Sequence, residues 1–129
     1  MDFKELTVYQ KAFNLAIEIF SITKQFPKEE KYSLTDQIRR SSRSTCANIA
    51  EAYRKRKYPK HFINKLTDSD GENSETVVWL DFALNCGYIN TELHDSLYTE
   101  CLEIGKLLNY MMNNPYKFGC RREFCKLRL

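Results

Sequence analysis

The chain has 129 residues, enough for one domain with a sizeable core, and its composition of 43% hydrophobic and 29% charged residues is that of a folded protein. Four glycines and three prolines are too few for a turn-rich β fold, and no run of about 20 apolar residues exists that would span a membrane. The formal net charge is only +3, and the N-terminus lacks the apolar run of a secretory signal peptide, so we expect a cytoplasmic protein without a membrane partner.

Apolar residues at helical spacing predict four long helices, over residues 4–24, 33–56, 59–86 and 91–113. Long helices joined by short connections are typical of an antiparallel up-down-up-down four-helix bundle, so the predicted fold class is all-α. We place the bundle in residues 1–115 and treat residues 116–129 as a basic C-terminal tail.

The predicted helix ends depend on residues with known capping preferences. Ser33 is expected to cap the second helix through its hydroxyl, and Pro59 to open the third, where its missing amide costs nothing. Gly87 is expected to end the third helix in the left-handed conformation, and Asn90 or Thr91 to cap the fourth.

The first helix carries two apolar stripes, whereas a bundle core needs only one. The first stripe is Leu6, Tyr9, Phe13, Ala16 and Phe20. The second stripe is Val8, Ala12, Leu15, Ile19 and Ile22. Because a large exposed apolar patch is unusual for a monomer, we assign the second stripe to the interface of a homo-oligomer.

The second helix contains a stretch of small side chains, SSRSTCA at residues 41–47, which predicts close approach by a neighbouring helix. It also opens the most basic segment of the chain, because residues 39–65 hold nine basic and one acidic side chain. Residues 66–116 reverse this balance, with one basic and nine acidic side chains. Any function must account for that polarity.

On a continuous second helix, the side chains of Arg39, Arg43, Arg54 and Lys57 fall within roughly 60° of one another. With their neighbours they form a predicted basic ridge that is suited to nucleic-acid phosphates. The basic ridge consists of Arg39, Arg40, Arg43, Arg54, Lys55, Arg56, Lys57 and Lys60. The opposite possibility is that these cations pair with the acidic third helix, within or between subunits.

No residues show the spacing of a catalytic or metal site. His61 and His94 have no second histidine at a metal-binding interval, and the five cysteines show no C-x-x-C pair. The acidic run around Gly71 has the wrong register for a calcium loop, since positions one and twelve would be Leu66 and Val77. We therefore expect no enzymatic activity, no cofactor and no metal.

Five sequence blocks resemble a bacterial family of four-helix-bundle proteins encoded within intervening sequences of 23S ribosomal RNA genes. The blocks are FKELTVYQKA (3–12), FPKEE (26–30), LTDQIRR (34–40), ANIAE (47–51) and GYI (87–89). The accessory variability determinant protein of diversity-generating retroelements has the same fold. Arg39, Arg40, Asn48 and Glu51 match motif positions, whereas Cys46 stands where the family usually has proline.

This resemblance implies a cyclic homo-oligomer, in characterised cases a pentameric barrel, with a basic surface that contacts RNA or a nucleic-acid-processing protein. It leaves two functions open. The first is a non-enzymatic, homo-oligomeric protein that binds nucleic acid, RNA above all, through the basic ridge. The alternative is a structural or assembly module that docks an acidic protein partner and has no role with nucleic acid. Neutralisation of the ridge by acidic residues of the third helix would favour the alternative.

Overall fold

The computed structural model describes residues 2–121, which form four long helices joined by short connections. Each helix begins and ends within three residues of its predicted bounds, so the predicted all-α class is confirmed. Short 3₁₀ helices at Phe3–Glu5, Lys28–Glu30 and Pro115–Phe118 flank them. The long helices are α1 (Thr7–Thr23), α2 (Leu34–Arg54), α3 (Pro59–Asn85) and α4 (Thr91–Asn113).

Consecutive helices pack side by side and run in opposite directions, and α4 closes the bundle against α1. Cross-helix contacts fix these directions, because they join the later part of one helix to the earlier part of its neighbour. The contacts are Thr23 with Arg39 (2.7 Å), Glu51 with Lys65 (3.1 Å), Asp81 with His94 (2.8 Å) and Lys11 with Glu103 (3.0 Å). The arrangement is the up-down-up-down bundle that the helix lengths predicted.

Within residues 2–121, all four helices contribute to one apolar core. Each fully buried Leu, Ile or Phe side chain contributes roughly 1.5–3 kcal/mol to the stability of the fold, relative to leaving it exposed. Fully buried residues include Ile19, Ile38, Ile49, Phe62, Leu66, Leu80, Leu97, Ile104 and Leu108.

The α1 stripe that was assigned to an oligomer interface instead faces this core: Val8, Ala12, Leu15, Ile19 and Ile22. The first four are buried within the single chain, and Ile22 is half-buried against the same cluster. The residue-level assignment is therefore wrong, since these side chains are not available to a second subunit. Two large apolar side chains of α1 remain exposed: Phe13 (47%), which belongs to the other stripe, and Ile17 (55%), which belongs to neither.

The small side chains of α2 allow the close approach to α3 that their spacing predicted. The hydroxyls of Ser41 and Thr76 lie 2.8 Å apart, and the Ser69 hydroxyl donates to the Thr45 carbonyl over 2.7 Å. All four residues are buried, so these hydrogen bonds satisfy polar groups that would otherwise destabilise the core.

The helix ends follow the predictions in three of four places, and α3 begins at Pro59 as expected. Gly87 has a φ of 79°, and Tyr88 N donates back to the Ala83 carbonyl, which closes α3 with a left-handed cap. Asn90 caps α4 by accepting a hydrogen bond from Leu93 N over 2.8 Å. At the start of α2 the expected serine cap is absent from the described contacts, and the Glu30 carboxylate accepts from both Ser33 Oγ and Leu34 N instead.

The packed unit continues past residue 115, where the sequence suggested a tail. The 3₁₀ helix Pro115–Phe118 places the Phe118 ring 6.5 Å from the ring of Phe62 and 6.1 Å from that of Tyr110. Cys120 is buried in the core cluster. Residues 122–129 of the predicted tail, including Cys125, lie outside the described residues.

Candidate nucleic-acid interface

Two arginines from the first half of the basic ridge lie against the end of α1. The guanidinium of Arg39 lies 4.5 Å from the centroid of the Phe20 ring, donates to Thr23 Oγ1 over 2.7 Å and to the Phe20 carbonyl over 3.3 Å. Arg43 approaches the same ring at 5.5 Å. Such cation–π contacts contribute about 0.5–1 kcal/mol at exposed sites. These arginines thereby cover part of the α1 apolar stripe that the core leaves outside.

Two further ridge arginines are held on aromatic rings near the other end of α2. The guanidinium carbon of Arg54 lies 5.6 Å from the centroid of the Phe3 ring, and that of Arg56 lies 3.5 Å from the centroid of the Tyr53 ring. A ring covers one face of a guanidinium without neutralising its charge. Both arginines therefore keep their charge at this end of the bundle.

Arg40 is the ridge residue that pairs with acidic side chains of α3. Its Nη1 lies 3.1 Å from a Glu72 carboxylate oxygen, and its Nη2 lies 2.8 Å from one of Glu75. The hydrogen bond with Glu72 is the largest of the effects that raise the pKa of Arg40. Because the Arg40 side chain is 46% exposed, water screens these pairs and limits them to about 1 kcal/mol. Arg40 therefore follows the opposite possibility raised by the sequence, in which cations of the basic ridge pair with acidic side chains of the third helix.

The predicted continuity of the basic ridge ends where α2 ends, at Arg54. The backbone turns here, with Lys55 N donating to the Ala52 carbonyl and Tyr58 N to the Lys55 carbonyl. Lys57 therefore does not continue the helical face of the arginines, contrary to the prediction. The structure instead divides the ridge into arginines along α2 and a separate turn.

We call residues 55–60 the basic corner. The side chains of Lys55, Lys57 and Lys60 are all exposed, and none makes an ion pair within residues 2–121. Arg54 and Arg56 border them. The corner thus gathers positive charge that the described part of the chain leaves unmatched.

Sequence reasoning missed an aromatic pair in this corner. The Tyr58 side chain is 59% exposed, and its ring centroid lies 5.6 Å from that of His61. The signal for it was present in the order KYPKH at residues 57–61, where aromatic rings alternate with lysines. Such interleaving is typical of surfaces that bind single-stranded nucleic acid.

A cavity of about 460 Å³ lies beside the corner and brings in a cation from the C-terminal segment. Lys117, which donates to the Tyr110 hydroxyl over 3.1 Å, lines this cavity together with Arg56. The two residues come from distant parts of the sequence, so only tertiary packing brings them together. The remaining walls are Leu6, Tyr53, Phe118 and Gly119.

Comparison with known proteins identifies the family. Residues 4–110 match the family described as 23S rRNA-intervening sequence protein. This chain belongs to that family. A crystal structure of a protein with unknown function from the S23 ribosomal protein family of Bacteroides thetaiotaomicron is 33% identical to it, with a TM-score of 0.75 and alignment over 83% of this chain and 96% of that one. No curated protein gives a significant match.

The part of the chain shared with the 23S rRNA-intervening sequence family includes the whole basic ridge and the basic corner. It ends at residue 110, so Lys117 and the cavity wall that it forms lie beyond it. Within it, Cys46 is buried, with its Sγ 4.0 Å from the Tyr9 carbonyl oxygen, so it lies in the contact between α1 and α2 and not on the basic surface.

His94 forms a second charged site at the far end of the bundle. The ring is buried, with Nδ1 3.0 Å from an Asp95 carboxylate oxygen and Nε2 2.8 Å from one of Asp81. The hydrogen bonds to Asp95 and then Asp81 raise the pKa of His94. Tyr98 stacks on the ring at 6.0 Å. Asp95 is the next residue in the sequence, but the partner Asp81 could not be predicted, because it comes from α3.

Two kinds of feature are absent from the part of the chain that the structure describes. Among residues 2–121, no group of three or more histidine, cysteine, aspartate or glutamate side chains is arranged to hold a metal ion. No described helix is both long enough and apolar enough to cross a membrane.

Proposed function

We propose that this member of the 23S rRNA-intervening sequence family is a non-enzymatic, homo-oligomeric protein that binds RNA through its basic corner. The observation that carries the proposal is the set of exposed lysines, Lys55, Lys57 and Lys60, without an ion pair in residues 2–121. Clustered like charges repel one another, and a polyanion relieves that repulsion while releasing its counterions.

The arginines of α2 extend this surface in the proposal. Arg39 and Arg43 are held in place by Phe20, and Arg54 by Phe3, so they lose little conformational freedom on meeting a phosphate. Contacts of this kind go to the backbone and carry no base information. We therefore expect binding that depends steeply on salt, with log K falling by about 0.7–0.9 per log unit of salt for each phosphate contacted.

Charge reversal at the corner tests the proposal. The triple variant Lys55→Glu, Lys57→Glu, Lys60→Glu should lose about a hundredfold or more in affinity for a structured RNA at low salt. The control variant Lys28→Glu, Lys31→Glu, Lys106→Glu makes the same change in net charge at exposed lysines elsewhere. Fluorescence anisotropy across a salt series measures both. Equal losses in the two variants would reduce the effect to net charge, and no loss in either would reject RNA binding by the corner.

Self-association is part of the proposal and is supported by exposed apolar side chains on α1. Phe13 is 47% and Ile17 is 55% exposed, although both are large and hydrophobic. The family resemblance implies a pentamer. The variant Ile17→Lys should lower the sedimentation coefficient of the protein while its helical circular dichroism is unchanged. A wild-type protein that sediments as a monomer at micromolar concentration would reject self-association.

The alternative function is an assembly module that docks an acidic protein partner. It is favoured by one observation, the bidentate contact of Arg40 with Glu72 and Glu75, in which the ridge already binds carboxylates. In that case the triple corner variant would lose affinity for an acidic polypeptide such as polyglutamate while the wild-type protein binds no RNA.

A further inference from the structure

We infer that the basic corner selects unpaired nucleotides over duplex, because Tyr58 offers its ring as a stacking platform for a base. This inference rests on the proposed function, in which the surrounding lysines bind the phosphates. It adds a preference for strand state, which the phosphate contacts alone do not provide.

Tyr58 is held by its backbone while its ring is open to solvent. Its N–H donates to the Lys55 carbonyl over 2.9 Å, and its carbonyl accepts from Phe62 N over 3.0 Å. The ring is 59% exposed and contacts His61. No hydrogen bond to the Tyr58 hydroxyl occurs within the described residues, so no contact of the hydroxyl competes with stacking on the ring. An ordered backbone beneath an exposed ring is what a preformed platform requires.

The charges near Tyr58 distinguish it from the other strongly exposed tyrosine. Lys55, Lys57 and Lys60 are within three residues of it in the chain, all of them exposed. Tyr32 is even more exposed, at 84%, and Lys31 Nζ lies 5.3 Å from its ring centroid, but Glu29 and Glu30 balance the charges of Lys28 and Lys31. A nucleic-acid strand would therefore be attracted more strongly to Tyr58 than to Tyr32.

The chemistry of stacking explains the expected selectivity. In a duplex the base faces are already stacked on their neighbours and are not accessible to a side chain at the surface. In a single strand a base can turn outwards and place its face on an aromatic ring while lysines contact the flanking phosphates. Loss of one such contact on substitution by alanine lowers affinity by about tenfold or more.

Matched RNAs and matched tyrosine variants test the inference. Affinity is measured for a short single-stranded RNA, for the single-stranded DNA of the same sequence, and for the corresponding RNA duplex. We expect wild type to prefer both single strands, Tyr58→Ala to lose about tenfold for them with no change for the duplex, and Tyr58→Phe and Tyr32→Ala to resemble wild type. A 2-aminopurine base in the strand should be quenched by wild type and not by Tyr58→Ala.

The outcomes separate this inference from the proposed function. If Tyr58→Ala weakens single strand and duplex equally, or neither, the stacking platform is rejected while lysine-dependent binding stands. If wild type binds none of the three nucleic acids, the proposed function fails and the inference with it. Equal melting temperatures of Tyr58→Ala and wild type exclude unfolding as the cause of a lost affinity.

Discussion

The first half of α2 and the basic corner carry the same sign of charge, but they use it differently. In α2, Arg39 donates to Thr23 and the Phe20 carbonyl, and Arg40 pairs with two carboxylates. At the corner, Lys55 and Lys57 are exposed and make no ion pair within residues 2–121.

This difference shows that basic residues that are close in the sequence need not form one continuous surface. Arginine has a planar group that hydrogen-bonds and stacks at the same time, so it is readily built into a structure. Lysine is a strongly hydrated point charge, which suits an exposed position. We therefore expect substitution of Arg39 or Arg40 to lower stability more than substitution of a corner lysine, and substitution of the corner lysines to weaken binding more.

The largest expected effect on stability is at Arg39. Replacing Arg39 by alanine removes two hydrogen bonds from a charged donor and leaves the buried Thr23 hydroxyl without that partner. We expect a loss of about 1.5–3 kcal/mol in the free energy of unfolding, measured by urea titration. The matched change Lys55→Ala should stay within about 0.5 kcal/mol of wild type. Similar losses in both variants would remove the distinction between the two regions.

A smaller effect is expected at His94, whose pKa is raised by its two carboxylate partners. Its folded pKa is raised above the unfolded value of about 6.5, so its contribution to stability is fully present below that pH and is lost as pH rises through the folded pKa. Replacing both Asp81 and Asp95 by asparagine should remove this pH dependence and cost about 1 kcal/mol at acid pH, since both carboxylates are exposed. Urea titrations between about pH 5 and 8 measure it. An unchanged profile would contradict the pairing.

The smallest effect is expected at Arg40. Its pairs with Glu72 and Glu75 are largely exposed, so Arg40→Ala should lower the free energy of unfolding by only about 0.5–1 kcal/mol, and by less at high salt. The same variant should retain more RNA affinity than Lys57→Ala, because its charge is already matched within the chain. The reverse order of affinities would assign RNA binding to α2 and not to the corner.

Most of the fold could be predicted from the sequence because helix periodicity and breaking residues act locally. Pro59 and Gly87 mark the ends of α3, and the small residues of α2 indicate its contact with α3. The orientation of α1 could not be read in this way, since two stripes of equal strength compete for the core. In the folded bundle the stripe that contains Ile19 faces the core. Arg39 and Arg43 cover part of the other stripe by lying on Phe20.

The sequence predicted which basic residues form the candidate site, but it did not predict how they are arranged. All eight basic-ridge residues belong to one stretch of chain, yet α2 ends at Arg54 and separates them into two groups. The surroundings of individual ridge residues depend on distant segments of the chain. Glu72 pairs with Arg40, and Lys117 lines a cavity together with Arg56. A single sequence without structural context contains little information on such pairings.

The basic corner and the His94 site lie at opposite ends of α3, so the length of this helix sets the distance between them. Lys60 lies in its first turn and Asp81 near its other end, so at 1.5 Å per residue the basic corner and His94 are separated by roughly 30 Å along the helix. The Debye length at physiological ionic strength is about 8 Å, so the field of one site has decayed several-fold before it reaches the other. The electrostatic interaction between the two ends of the bundle is therefore weak. Protonation of His94 should leave the attraction between the basic corner and a polyanion unchanged.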